Sequence, residues 1–566
     1  MAEKTGRFAI IEQFLADGME YMFGNPGTVE QGFLDTVNEY PRMKYILGMQ
    51  ETVAIGIADG YARVTKKPTL VQLHSGVGLG NGIGMMYQAY RGHAPLVIIA
   101  GEAGIKYDAM DSQMAADLVS MARPVTKWAT RVVEPSSLLR VLRRAIKIAA
   151  TPPMGPVFVC LPADILDEPV QEDVVPTSIP STRVMPADDD VASAAAMLAG
   201  ARKPLIIMGD GVAYSGAQSE LAQVAEVLGA DVYGADNSEV NISATHPLYK
   251  GNLGHMFGAN SSKVTREADA ILIVGTYVFP EVFPYLSTDD VFAPGTRIVH
   301  VDLNAYEIGK NFQVDLGMVS DPKLTLAKLV TALDTAMSGQ QKNAAQARLD
   351  ASRSARENAL QAQLEADRKV RDQMPLQTSR FMQDLSEHLP DDVLIFDEAL
   401  TSSPPLTRYI PPTKPGTFFQ TRGGSLGVGI PGALGLKLAH PDKTVIGFTG
   451  DGGSMYTIQA LWTAAHHNIG AKFVICNNQS YMLLKLNIMQ YWREQGLQPS
   501  DFPDSFDLTN PVVDFVKIAE SMGVPGARVE RPEQVGPAVK QMLEHDGPFL
   551  IDMVVSSKLP DPSSGK

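Results

Sequence analysis

The sequence predicts an α/β protein of three doubly wound parallel-sheet domains, and three observations carry that expectation. The first is a series of short β-branched runs ending in Gly, Asn, Asp or His, namely TLVQLH, LVIIAG, PLIIMGDG, ILIVGT, IVHVD, VLIFDEA, TVIGFTGDG, KFVICNN and FLIDMVV. The second is the helical period of the stretches between them, as in SGAQSELAQVAEVLG. Strands alternating with helices in this way build parallel sheets covered on both faces. The third is length, because 566 residues exceed what one hydrophobic core organises.

Two seams divide the chain. Leu166 to Pro186 is Pro-rich, follows neither period, and reads as a surface linker. The stretch SGQQKNAAQARLDASRSARENALQAQLEADRKVRDQ has few large apolar residues and reads as an exposed helical connector. The expected organisation is an N-terminal domain over 1–170, a middle domain over 187–337, the connector over 338–375, a C-terminal domain over 376–555 and a tail over 556–566.

A formal charge of -15 with no Lys/Arg block argues against nucleic acid as a partner. The segment MAEKTGRFAIIEQFLADG sets Ile10, Ile11, Phe14 and Leu15 at helical spacing and lacks the apolar core of a signal peptide. No run of about 18 apolar residues is present to cross a membrane. A soluble, cytoplasmic protein is the expectation. Cys160 and Cys476 lie in apolar runs and read as core residues rather than as a disulfide or reactive thiols.

Most of the chemistry is concentrated in TVIGFTGDGGSMYTIQALWTAAHHNIGAKFVICNNQSY. A strand runs into Gly450-Asp451-Gly452, a helix follows, and a second strand ends at Asn477-Asn478. Sequential parallel strands end on the same side of their sheet, where ligands of α/β proteins bind. The 27-residue step from Asp451 to Asn478 therefore brings two oxygen ligands toward one small hard cation. Diphosphate oxygens and water would complete the octahedral shell that Mg²⁺ demands. Gly452 and Gly453 let backbone amides at the following helix start approach a diphosphate. A lone Gly-Asp-Gly is more often a turn; the full order of strand, GDG, helix, strand and NN carries the reading.

In this order the chain resembles the thiamine diphosphate enzyme superfamily that includes pyruvate decarboxylase, acetolactate synthase and benzoylformate decarboxylase. The resemblance implies a pyrimidine-binding N-terminal domain and a diphosphate-binding C-terminal domain. It makes Asp451 and Asn478 side-chain ligands of Mg²⁺, with the main-chain carbonyl of Ser480 as a third, and it sets Gly452, Gly453, Ser454 and Tyr481 against the cofactor. It also implies a glutamate in the N-terminal domain, and KYILGMQETVAIGIADGYAR supplies Glu51, in an apolar stretch where a carboxylate is costly without a partner. By resemblance Glu51 shares a proton with the aminopyrimidine N1′. In FFQTRGGSLGVGIPGALG, Leu426 becomes the apolar support that bends the cofactor, and Gly424 offers its carbonyl to the 4′-amino group.

Within the superfamily the chain is similar to benzoylformate decarboxylases over nearly its whole length, through FGNPGTVE, ADGYA, LHSGVGLGNGIG, PVTKW, SLGVGIPGALG and ALWTAAHHNI. His74 matches an active-site histidine of that family, and Thr28 stands where those enzymes carry a catalytic serine. The family's second histidine, in the middle domain, has no counterpart in TYVFPEVFPYLSTDD. Glu281, Phe283 or Tyr285 are expected to line the pocket instead, and His74, Tyr481 or Glu494 to supply the missing proton. An amphipathic helix over YMLLKLNIMQYW would offer Leu483, Leu484, Ile488 and Trp492 as an apolar wall. The implied activity is decarboxylation of a benzoylformate-like 2-oxo acid. A 2-hydroxyacyl-CoA lyase, an acetolactate synthase-like carboligase and a silent regulatory homologue are the alternatives. The resemblance implies a homodimer or homotetramer with the site between subunits. The middle domain, with PLIIMGDG and IVHVDLN, has the look of a nucleotide-binding sheet that commonly holds nothing in decarboxylases.

Overall fold

The structure, a computed structural model, describes residues 4–559 apart from 236, 255, 257, 277, 278 and 280. Most of the expected tail over 556–566 therefore lies outside the described residues, as do three positions of the histidine-free segment. Three six-stranded sheets form, and the strand pairings described are all parallel. The nine apolar runs each become a strand. Their side chains are buried along almost their whole length, as expected of strands with helices on both faces.

The chain forms two compact units. One joins residues 1–180, 373–403 and 421–566; the other joins 181–372 and 404–420. In the first unit, the N-terminal sheet has the order Lys44–Leu47, Tyr21–Gly24, Thr69–Leu73, Leu96–Glu102, Val157–Pro162, Trp128–Arg131. The chain reverses direction across this sheet between Tyr21–Gly24 and Thr69–Leu73, a switch point of the kind at which parallel sheets bind ligands. Five strands of the C-terminal sheet run in the order Leu394–Glu398, Val445–Gly450, Lys472–Asn477, Phe549–Val554, Gly526–Val529. The second unit holds the sheet Leu316–Val319, Arg297–Asp302, Ala270–Val274, Pro204–Met208, Asp231–Gly234, Tyr249–Asn252.

The connector is a 32-residue helix, Gly339–Val370, opened by a capping box between Ser338 and Gln341. Only Ala345 and Leu349 of it are buried. Its Arg348 and Arg356 donate to the carbonyls of Gly229 and Tyr249, which anchors it to the second unit.

Two helices of the first unit, Glu51–Thr65 and Gly429–Ala439, cross with their backbones in contact. A methyl added at Gly60 would fall 2.2 Å from the Gly432 carbonyl oxygen, and one at Gly435 would fall 2.1 Å from that of Ile57. The same crossing buries Asp59 and Arg63, 3.6 Å apart, with the guanidinium over the Phe396 ring at 5.6 Å. Burial pushes the Asp59 carboxyl up to about 6 against the pull of Arg63. Because no side chain fits between the helices, Gly435→Val should cost about 1–3 kcal/mol through forced separation. The cost will appear as an earlier urea unfolding midpoint. Gly339→Ala, where nothing lies within 4 Å, should leave the midpoint unchanged or higher.

Candidate active site

Asp451 follows the strand Val445–Gly450 and is buried. Its Oδ1 accepts the Gly452 amide at 2.9 Å and its Oδ2 accepts the Ser480 amide at 3.2 Å. The same Ser480 amide donates to Asn478 Oδ1 at 3.0 Å, so one N–H holds the two expected metal-ligand side chains together. A sharp turn makes this possible, with Gln479 at φ 56 and its amide on Asn477 Oδ1. The two asparagines divide the work, for Asn477 faces inward and donates to Asp552 Oδ1 at 2.9 Å while Arg528 binds the other Asp552 oxygen. The Ser480 hydroxyl is spent on the Phe506 carbonyl.

This donor set suits a hard divalent cation. The described partners of Asp451 are backbone amides, and burial pushes its carboxyl up to about 6, so a cation there would stabilise the ionised form. Among the described residues no three His, Cys, Asp or Glu side chains gather for a metal. One carboxylate and one amide oxygen instead leave most of a coordination shell to ligand oxygens and water, as Mg²⁺ prefers.

The helix expected after the GDG motif is broken. Asp451–Ser454 is a four-residue turn of helix, and Ala460–His466 begins anew. The break has a cause in Thr457, whose hydroxyl donates to the Gly427 carbonyl at 2.6 Å and draws the chain toward the glycine-rich loop. Of the amides expected to face a diphosphate, that of Gly452 is already taken by Asp451. The Tyr481 ring lies where a Gly452 side chain would be, 2.3 Å from an added methyl, and Ser454 closes its turn onto the Asp451 carbonyl.

The glycine-rich loop carries Gly423, Gly424 and Gly427 at positive φ. Gly424 faces open space, and Leu426 is half-buried. Beneath the loop sits Glu398, which sequence reasoning missed. It ends its strand opposite Thr449 in the register, its carboxyl is buried, and it accepts from the Gly427 and Gly429 amides and the Thr449 hydroxyl. Burial pushes it up to about 7 despite these donors.

In the N-terminal sheet, Glu51 opens its helix behind a Gln50 cap. Its oxygens accept from Asn25 at 3.1 Å and from Asn81 at 3.0 Å. His74 follows the strand Thr69–Leu73 at the switch point, and Ser75, at φ 42, turns the chain sharply into the next helix. The imidazole Nδ1 lies 2.9 Å from Glu30 Oε2, whose partner oxygen accepts the Gly101 amide. Burial raises the Glu30 carboxyl. Gly27 is required at this point, since a methyl there would overlap the His74 ring at 1.9 Å. Thr28 opens the turn Thr28–Glu30 and is itself exposed. Asn25, Glu30 and Asn81 all lie in GNPGTVE or SGVGLGNGIG, and the only signal for them was a polar residue inside a glycine-rich run.

The helix expected to offer the substrate wall is sparsely buried. In the helix Met482–Glu494 only Met482 and Trp492 are buried, and Trp492 stacks on Phe502. Leu483 and Ile488 are half-buried, Leu484 is exposed, and Glu494 is exposed roughly 18 Å along the axis from Met482. Phe283 and Tyr285 are exposed on the second unit, while Glu281 is buried and accepts from Ser261.

Parallel sheets with oxygen-bearing side chains gathered beyond their strand ends define an α/β enzyme that binds its ligand at those ends. Comparison with known proteins gives the particular family. The thiamine pyrophosphate enzyme N-terminal TPP binding domain matches residues 4–121, the central domain matches 191–329, and the C-terminal TPP binding domain matches 401–553. The chain belongs to the thiamine pyrophosphate enzyme family, of the decarboxylase and acetolactate synthase type. It is 28% identical to a "Probable acetolactate synthase large subunit" of Methanococcus aeolicus, over 99% of this chain and 92% of that protein. It is also 28% identical to benzoylformate decarboxylase of Pseudomonas aeruginosa, over 97% and 98%. The solved structure of a thiamine diphosphate-dependent 4-hydroxybenzoylformate decarboxylase from Rhodococcus jostii matches with a TM-score of 0.82 at 25% identity, covering 98% of this chain and 99% of that one.

The division of labour between the asparagines can be measured. Asn477→Ala leaves Asp552 short of a donor and should cost about 1–3 kcal/mol in urea unfolding. Asn478→Ala should change stability by less than about 0.5 kcal/mol, since among the described residues its side-chain oxygen accepts an amide that Asp451 also accepts.

Proposed function

We propose that this enzyme decarboxylates a benzoylformate-like 2-oxo acid to an aldehyde and CO₂, using thiamine diphosphate and Mg²⁺. The observation that carries the reading is the His74–Glu30 pair, set at the switch point of the N-terminal sheet against Gly27. With Glu30 accepting from Nδ1, the imidazole is held in one orientation, and Nε2 remains to exchange a proton with the substrate's carbonyl or carboxylate. Glu51, steadied by Asn25 and Asn81, would hold a proton at the aminopyrimidine N1′. Asp451, Asn478 and the Ser480 carbonyl would bind the cation, and Gly452, Gly453, Ser454 and Tyr481 would line the diphosphate. Leu426 would support the bend of the cofactor, with the Gly424 carbonyl toward its amino group. Bound there, thiamine diphosphate supplies the electron sink that takes up the pair left by CO₂. The two relatives named as decarboxylases support this reading.

A carboligase is the second reading, favoured by the absence of histidine from Thr276 to Asp290 and by the acetolactate synthase-named relative. Without a second proton donor, the acyl fragment left by decarboxylation would pass to another carbonyl compound rather than be released as aldehyde.

A homodimer or homotetramer is the proposed functional unit. Among the described residues the side-chain partners of Glu51 are Asn25 and Asn81, both from the N-terminal part of its own chain. The helix Ser75–Arg91 that carries Asn81 leaves Val77 and Tyr87 exposed, a face for a second copy. Sedimentation should return at least a dimer, and a monomer with full activity would overturn this.

The activity is tested on a panel of 2-oxo acids, alone and with acceptor aldehydes or ketones, and of 2-hydroxyacyl-CoA esters. CO₂ with free aldehyde from benzoylformate supports the decarboxylase. An acyloin or 2-hydroxyacid product supports the carboligase, and formyl-CoA sinks both. EDTA should abolish turnover and Mg²⁺ restore it. Glu51→Gln and His74→Ala should each lower kcat by about 10²–10⁴-fold, the range of a lost acid–base group.

A further inference from the structure

Glu398 is a buried acid that the catalytic scheme leaves unused. It stands at the end of the strand Leu394–Glu398, and its side chain is essentially inaccessible. One oxygen accepts the Gly427 amide; the other accepts the Gly429 amide at 2.7 Å and the Thr449 hydroxyl at 3.2 Å. The first donor follows directly on the turn that carries Gly424 and Leu426, the second opens the helix after it, and the third lies two residues before Asp451. The surroundings are built to let the carboxyl in. A methyl on Gly429 would stand 2.9 Å from Glu398 Oε2, and one on Gly453 would stand 3.6 Å from Oε1. Thr457 ties the same turn from the other side, through the Gly427 carbonyl.

A carboxylate suits this place and an amide does not. Both oxygens face N–H donors, so a glutamine would turn its own NH₂ against one of them and leave that backbone amide without an acceptor. The turn holds Gly424 and Gly427 at positive φ, a shape that persists only when its neighbours over-determine it.

We infer that Glu398 is a positioning residue for the cofactor, fixing the Gly424–Leu426 turn at a set distance from the Asp451 loop so that both ends of one ligand are met at once. The inference rests on the proposed reading that the turn meets the ring portion of thiamine diphosphate and the Asp451 loop its diphosphate. Glu398 itself touches neither the rings nor the diphosphate. It acts through the backbone of the turn.

Two ligands separate this role from a general loss of fold. Affinity for thiamine diphosphate needs both loops, whereas affinity for inorganic pyrophosphate with Mg²⁺ needs the Asp451 loop alone. Titration of the full-length protein by tryptophan fluorescence with each ligand reads the two without any turnover. Glu398→Gln should weaken thiamine diphosphate by about 10–100-fold, the usual loss when a group that orients ligands is removed. It should leave pyrophosphate within about twofold, the scatter of a neutral substitution. Thr449→Val removes one of the three donors, remains available if the glutamine variant does not fold, and should show a smaller loss of the same selectivity. An equal loss for both ligands, or no loss for either, in every variant that folds would overturn the inference. Wild-type protein that binds pyrophosphate but not thiamine diphosphate, or binds neither, would overturn the underlying reading instead.

Discussion

The contact on which the first unit depends is one between backbones. The helix Glu51–Thr65 and the helix Gly429–Ala439 meet backbone to backbone at Gly60 and Gly435, with Gly56 against the Pro431 ring. Each helix starts at a loop of the candidate site, Glu51 at the first turn of one and the Gly424–Leu426 turn just ahead of the other. Close packing makes the crossing stiff, because interiors at crystal-like density have little room to slide. The position of Glu51 is thereby referred to the C-terminal sheet through two rigid rods rather than through flexible loops.

The acids of the site share a design. Glu51 is met by two asparagine amides, Glu398 by two backbone amides and a hydroxyl, and Asp451 by two backbone amides. Glu30 is met by a backbone amide and an imidazole. None of these described partners is a Lys or Arg. Donors of this kind lessen the cost of burial without the fixed full charge of a Lys or Arg. The exception, Asp59 with Arg63, lies in the helix crossing, where rigidity rather than reactivity is required.

Much of the fold was legible because interior parallel strands are unbroken apolar runs, and all nine that stand out in the sequence are strands. The four-residue strands Lys44–Leu47, Asp231–Gly234, Tyr249–Asn252 and Gly526–Val529 were not, since they are half-exposed and mix polar with apolar residues. The grouping of Asp451, Asn478 and Ser480 could be read because the residues occupy the ends of neighbouring strands. Asn25, Glu30, Asn81 and Glu398 could not, since their partners stand 26 to 71 residues away and each looks locally like an ordinary turn or strand residue. The break after Ser454 was hidden for the same reason. It depends on Thr457 reaching a carbonyl 30 residues back in the chain.

The order of these segments along the chain has a consequence for synthesis. The helix Glu51–Thr65 leaves the ribosome with its glycine-faced side bare, and the helix that covers it follows about 360 residues later, roughly 20–70 s at 5–20 residues per second. The second unit, residues 181–372 and 404–420, is made entirely within that wait. The first part of the protein to be made is thus among the last to be completed, and the bare face of Gly56 and Gly60 is the surface a chaperone or a neighbouring nascent chain meets in the interval.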